Sequence, residues 1–193
     1  METLTEQKIK LGQTNLRGLA FLLAASLYWL SMGCLAIFTS TKVAFTFSLW
    51  GGGLTLPLAM LFTKMLGTTL GGKGDLSTLG LLANVFQLLF FPMAISLGFS
   101  YGHHYLPLAL SLLMGAHFIF YGWLYNSKTY YIICGVSVLF TYWVWFITPQ
   151  QTFVYLGFFN FVLLNAGVVG LMMENNASIK KLNETLKEYP ANL

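Results

Sequence analysis

What this chain has least of is charge. Asp, Glu, Lys and Arg make up 8% of its 193 residues, against roughly 25% in an ordinary soluble domain. Water is therefore not its main solvent. The scarcity is also selective. No Asp or Glu falls inside any of the long apolar runs, which removes the carboxylate that secondary transporters commonly use to couple ions or protons. The same absence leaves no paired carboxylates for acid–base hydrolysis. There is no GxSG serine signature and no CxxC redox pair. These gaps point away from an enzyme, and nothing in the chain implies a cofactor or a bound metal.

Cysteine and histidine are equally sparse. Cys34 sits in the outer part of the first apolar run and Cys134 in the inner part of the fifth, so at 1.5 Å of rise per residue their depths differ by about 15 Å. A disulfide needs alpha carbons within about 7 Å, and both cysteines read as small apolar packing residues. The three histidines are His103, His104 and His117. The last two are about 20 Å apart along a helix, whereas the donors to one zinc each lie about 2 Å from it. They do not share a site. His103 and His104 belong to a short loop, solvated or interfacial.

What the chain does have is apolar length. Hydrophobic residues are 56% of the total and aromatics 17%. Runs at about 18–40, 43–63, 79–100, 105–125, 129–147 and 151–173 each meet the roughly 20 residues a spanning helix requires. The fold class expected is an all-α integral membrane protein with six transmembrane helices, residues 1–176 forming one domain. In the tail, 177–193, Ile179, Leu182 and Leu186 recur at helical spacing among lysines and glutamates. That pattern predicts a short cytoplasmic amphipathic helix on the inner membrane surface, with a partner-binding helix as the alternative.

Charge placement sets the orientation. The net charge of +4 is a topology signal rather than a nucleic-acid footprint, because the basic residues flank apolar runs. With the N-terminus inside, Lys8, Lys10, Arg17, Lys64, Lys73, Lys128, Lys180, Lys181 and Lys187 are all cytoplasmic and Lys42 alone is outside. Glu2, Glu6, Asp75, Glu174, Glu184 and Glu188 fall on the cytoplasmic side too. Both termini are expected inside. The apolar run ending in SMGC has Ser31 where a lipoprotein signal needs a leucine-like residue, and it is longer than a signal-peptide core, so it reads as a retained span. The connector TTLGGKGDLSTLG lacks the GK[ST] ending of a phosphate-cradling loop. Trp123, Tyr125, Tyr130 and Tyr131 are expected to form an inner aromatic belt and Tyr101, Tyr105, Trp143 and Trp145 an outer one, with scattered core aromatics as the other reading.

Two features inside the spans could carry function. An ionisable residue near mid-membrane is costly and usually faces a cavity or a partner. His117 is one, and Asn84 and Gln87 of the third run and Asn165 of the sixth lie near its depth, with Tyr121 one turn away. A polar cluster of His117, Tyr121, Asn84, Gln87 and Asn165 is therefore expected, either lining a cavity or simply joining helices. Asn160 lies about 140° around its helix from Asn165, so the two cannot both point into it. The second feature is WGGGLTLP. Pro57 has no N–H for the Gly53 carbonyl, and Gly51, Gly52 and Gly53 already weaken the helix there, which predicts a bend.

The stretches LRGLAFLLAASLYW, FQLLFFPMAI and GAHFIFYGWLY resemble an uncharacterised family of small bacterial multi-pass membrane proteins, over most of residues 11–173. The resemblance implies a bacterial plasma membrane and carries no activity with it. Two function classes stay open. One is a small permease or channel for a neutral or weakly polar solute. The other is a non-transporting module, a sensor, immunity factor or accessory subunit, whose partner within the lipid bilayer is a second copy or another membrane protein. Pairs of small residues four apart, Ala20 and Ala24, Ser111 and Gly115, Ala166 and Gly170, permit the close helix packing either needs. A polar cavity reaching His117 favours the first class and a filled core the second.

Overall fold

The computed structural model describes residues 3–71 and 74–188, with side chains described as far as Lys180. Glu2, Lys73 and the side chains of Lys181, Leu182, Glu184, Leu186, Lys187 and Glu188 lie outside them. Among the described residues there is no strand, and six helical segments are long and apolar enough to cross a membrane: Leu16–Phe38, Thr41–Met65, Asp75–Tyr101, Tyr105–Leu124, Lys128–Ile147 and Pro149–Lys180.

The first helix, α1 (Leu4–Thr14), precedes the spans. Its start is a capping box: Thr3 Oγ1 accepts from the Glu6 amide at 3.3 Å and the Thr3 amide donates to Glu6 Oε2 at 2.7 Å. The bond from the Thr3 amide, aided by the Thr3 side chain, favours the ionised carboxylate and holds Glu6 below its ordinary range. Lys8 ties α1 down by donating to the Trp123 carbonyl at 2.9 Å while its ammonium sits 3.5 Å over the Trp123 ring.

Spans one, four, five and six form the bundle. The helices α2 (Leu19–Phe38), α7 (Tyr105–Leu124), α8 (Lys128–Ile147) and α9 (Thr152–Glu188) carry most of the buried large side chains, among them Trp29, Met32, Leu106, Tyr130, Ile133 and Leu156. The longest contact is between the first and last spans, α2 and α9. Glycine permits it: a Cβ on Gly157 would lie 2.6 Å from the Gly33 Cα, so the two backbones touch there. Ala20, Ala24, Ser111 and Gly115 are buried, whereas Ala166 is exposed. Cys34 and Cys134 are unbonded. Past Glu174, α9 runs on without a break to Glu188, there being no Gly or Pro between Leu171 and Glu188 to stop it.

Spans two and three pack more loosely and are both interrupted. Span two is α3 (Thr41–Gly51), a 3-10 turn at Gly52–Leu54 and α4 (Thr55–Met65). This is where Pro57 and the three glycines predict an irregularity, and Thr55 Oγ1 donates to the Gly52 carbonyl at 2.6 Å as partial compensation. Span three breaks at Phe90, between α5 (Asp75–Leu89) and α6 (Phe91–Tyr101). Pro92 explains it: without an N–H it leaves the Leu88 carbonyl out of the helical ladder. A Cβ on Gly52 would sit 3.0 Å from Phe91 Cε1, so the two breaks face each other. Gly80, Ala94 and Gly98 are the buried residues of span three.

Candidate functional site

Among the described residues, polar groups gather most densely in three places. The first surrounds Tyr121. Its hydroxyl donates to the Gly80 carbonyl at 3.3 Å, and Asn84 Nδ2 reaches the same carbonyl at 3.3 Å. One turn along α7, the His117 ring meets the Tyr121 ring edge-to-face at 4.6 Å. Tyr121, Asn84 and His117 are thus brought together. Asn165 is not joined to them, because its amide donates to the Phe161 carbonyl of its own helix at 2.8 Å. His117 and Gln87 are both half-buried, and among the described residues neither makes a hydrogen bond. The other histidines are elsewhere: His103 stacks on Phe45 at 4.3 Å and His104 lies against Tyr105 at 4.6 Å.

The second set is built around Asn160. Thr141 Oγ1 donates to the Ser137 carbonyl at 2.7 Å, which fixes its only hydrogen. Ser111 Oγ must then donate to Thr141 Oγ1 at 2.7 Å, Asn160 Nδ2 donates to Ser111 Oγ at 3.0 Å, and Ser137 Oγ donates to Asn160 Oδ1 at 3.5 Å. Four fully buried side chains from α7, α8 and α9 form one directional chain of hydrogen bonds. Such a network stiffens a core when each member is satisfied. The sequence signal for it was the pairing of Ser137 with Thr141 four residues apart on a helix that also faces Asn160.

The third set lies at the end of the bundle that carries Lys64 and Lys128. Between α1 and α2, Leu16, Arg17 and Gly18 adopt left-handed backbone with φ of 48°, 55° and 76°, a conformation costly for the first two. Surrounding bonds hold it. The Tyr130 hydroxyl donates to the Arg17 carbonyl at 2.6 Å, and the Arg17 guanidinium donates to Asn175 Oδ1 and, at 3.0 Å, to Ser178 Oγ. Arg17 Nε faces Glu174 Oε2 at 3.7 Å. The other Glu174 oxygen accepts from the Thr129 amide at 3.0 Å and its hydroxyl at 2.9 Å, so Glu174 caps the start of α8. Ser127, the residue placed to do so, makes no cap bond. Tyr125 and Tyr130 belong to this core rather than to an inner belt: both are buried, Tyr125 stacks with both Tyr121 and Tyr130, and Tyr125 accepts from Asn15 Nδ2 at 2.9 Å. Trp123 and Tyr131 are exposed, as are Tyr101 and Trp143.

A groove of about 500 Å³ opens between α6, α7 and α8. Phe90, Met93 and Leu97 form one wall, Leu108, Leu112 and Leu113 the other, and the Tyr105 and Trp145 rings, 4.9 Å apart, close the end away from Lys64. Among the described residues, no charged side chain lines it. Its exposed walls are apolar throughout.

Six membrane-length helices, a polar-stapled four-helix bundle and a loose interrupted pair define an all-helical multi-pass membrane protein. Residues 4–174 match a family of unknown function, DUF7010, and the chain belongs to that family. No curated protein and no solved structure matches it.

Proposed function

We propose that the chain is a non-transporting module of a bacterial plasma membrane that acts on another membrane component through spans two and three. Both termini are cytoplasmic in this reading, and α9 continues its span past the inner surface. The observation that carries it is the contrast between the two halves of the packing. The bundle is held at mid-span by the Ser137, Asn160, Ser111 and Thr141 chain and at one end by Arg17 and Glu174. Span three, by contrast, presents Phe86, Leu88, Leu89 and Met93 outward. A stapled core leaves the loose pair as the part free to respond. Reconstituted vesicles test it: their permeability to glycerol and urea should equal that of empty vesicles. Photo-crosslinkers at Phe86 and Leu89 in intact membranes should capture one discrete partner, and crosslinkers at Leu139 on α8 should not.

The facing breaks at Gly52–Leu54 and Phe90 favour a second reading, a small permease for a neutral or weakly polar solute. Interrupted helices supply free backbone groups to transported molecules. Accelerated flux of either solute, lost on filling the Gly52 contact, would establish it over the first.

A further inference from the structure

The unpaired His117 and Gln87 and the apolar groove lie on the same helix pair. The helices α5–α6 and α7 run antiparallel, and two contacts set their register. Gly80 stands against Leu124, where an added Cβ would be 3.1 Å from Leu124 Cδ2, and accepts from the Tyr121 hydroxyl. Seven residues along each helix return to the same face two turns on. That step leads from Gly80 to Gln87 and from Leu124 back to His117, so the two polar side chains face each other at one depth. One further turn reaches Phe90 on one helix and Leu113 on the other, and both line the groove. The groove's walls thus stop at Phe90 and Leu113, about one helical turn from Gln87 and His117. From His117 to Tyr105, which helps to close its far end, is about 18 Å of helix rise.

We propose that this groove binds a neutral amphiphile, a molecule with one apolar chain and an uncharged hydroxyl or carbonyl end, the chain lying along α6 and α7 and the polar end between His117 and Gln87. The chemistry of the walls selects it. About 500 Å³ of apolar recess is within the range of roughly 300–1,000 Å³ for small-molecule sites. A neutral imidazole offers one donor and one acceptor, and a carboxamide offers both, which matches a hydroxyl or a carbonyl. A carboxylate or phosphate at this depth would need a cation, and no charged side chain lines the groove. Bilayer phospholipid fits poorly, since its head group belongs at the membrane surface and this polar end lies within the span. The site goes beyond the module reading, because it assigns a ligand whether or not a protein partner is engaged.

A diazirine-bearing hexadecan-1-ol, photoactivated with the full-length protein in detergent micelles, tests the assignment. Label should concentrate on the peptides containing Leu108 to Leu113 and Tyr142 to Trp145. Unlabelled hexadecan-1-ol should compete for it, and hexadecane and palmitate should compete poorly. The double variant His117→Phe, Gln87→Leu should bind about tenfold more weakly, the loss expected for roughly two neutral hydrogen bonds. Neither residue has a protein hydrogen-bond partner to orphan, so the variant should fold. Ala109→Trp, which fills the groove, should abolish labelling by a separate route. Equal competition by hexadecane, stronger competition by palmitate, equal labelling of exposed Ile132 and Leu139, or unchanged labelling in the double variant would each overturn the proposal. Solute flux and partner crosslinking do not enter these readouts, so failure here is distinct from failure of the module reading.

Discussion

Arg17 Nε and Glu174 Oε2 stand 3.7 Å apart, joining the left-handed turn before the first span to the last span. Glu174 also caps α8 through Thr129, so its substitutions separate two effects. Glu174→Gln keeps an acceptor for Thr129 and loses the charge facing Arg17. Glu174→Ala loses both. With Arg17 buried, Glu174→Ala should cost about 3 kcal/mol, the lower end for breaking a buried pair because Glu174 is a quarter exposed. Glu174→Gln should cost about 1 kcal/mol less, the value of a cap. Thermal unfolding in one detergent measures the difference.

Asn160 and Asn165 should respond oppositely to substitution. Asn160→Leu takes the acceptor from the Ser137 hydroxyl and the donor from Ser111 Oγ in a dry core, and it should destabilise by about 1–3 kcal/mol. Asn165→Leu removes a bond to its own helix from a half-buried position, and its unfolding midpoint should stay close to that of the unmodified protein. Equal midpoints for the two variants would argue against the hydrogen-bond chain as a staple.

At the interruption in span two, neighbouring glycines should also part company. A Cβ on Gly53 meets nothing within 4 Å, and one on Gly52 meets Phe91 Cε1 at 3.0 Å. Gly53→Ala should stabilise by about 0.5–1 kcal/mol through helix propensity. Gly52→Ala should gain less or lose, because Phe91 has to shift. Pro57→Ala returns a donor to the Gly53 carbonyl, and hydrogen exchange should show its new amide protected.

Orientation has a direct assay. Reporters fused after Lys64, after Lys128 and at the C-terminus should read cytoplasmic, and reporters at His103 and Gln150 should read external. An external C-terminus would reverse the assignment of the Arg17 end to the cytoplasm.

The spans were legible because apolar length is a local property, and the irregularity in span two because a proline's missing donor is local as well. The same rule applied to Pro92 would have located the break at Phe90. Other features depend on distant residues. Arg17 reads in sequence as a flanking topology charge, yet it is buried against Asn175, 158 positions away, by a left-handed turn that no short pattern announces. Helical geometry established that Asn160 and Asn165 point apart, but which of them faces the bundle depends on how α9 is rotated against α7 and α8. Tyr125 and Tyr130 sit at belt depth in the sequence, and only the turn at Arg17, which takes the Tyr130 hydroxyl, draws them inside.

The contact of the first span with the last also fixes an order of events. A growing chain releases α2 to the membrane long before α9 exists, so Gly33 has no Gly157 to meet and Arg17 has no Glu174. Until the sixth span is made, the bundle lacks the helix that supplies the Asn160 amide and the cap on α8. Closure of the bundle therefore waits for α9, and a chain cut short before Glu174 leaves Arg17 without its carboxylate partner.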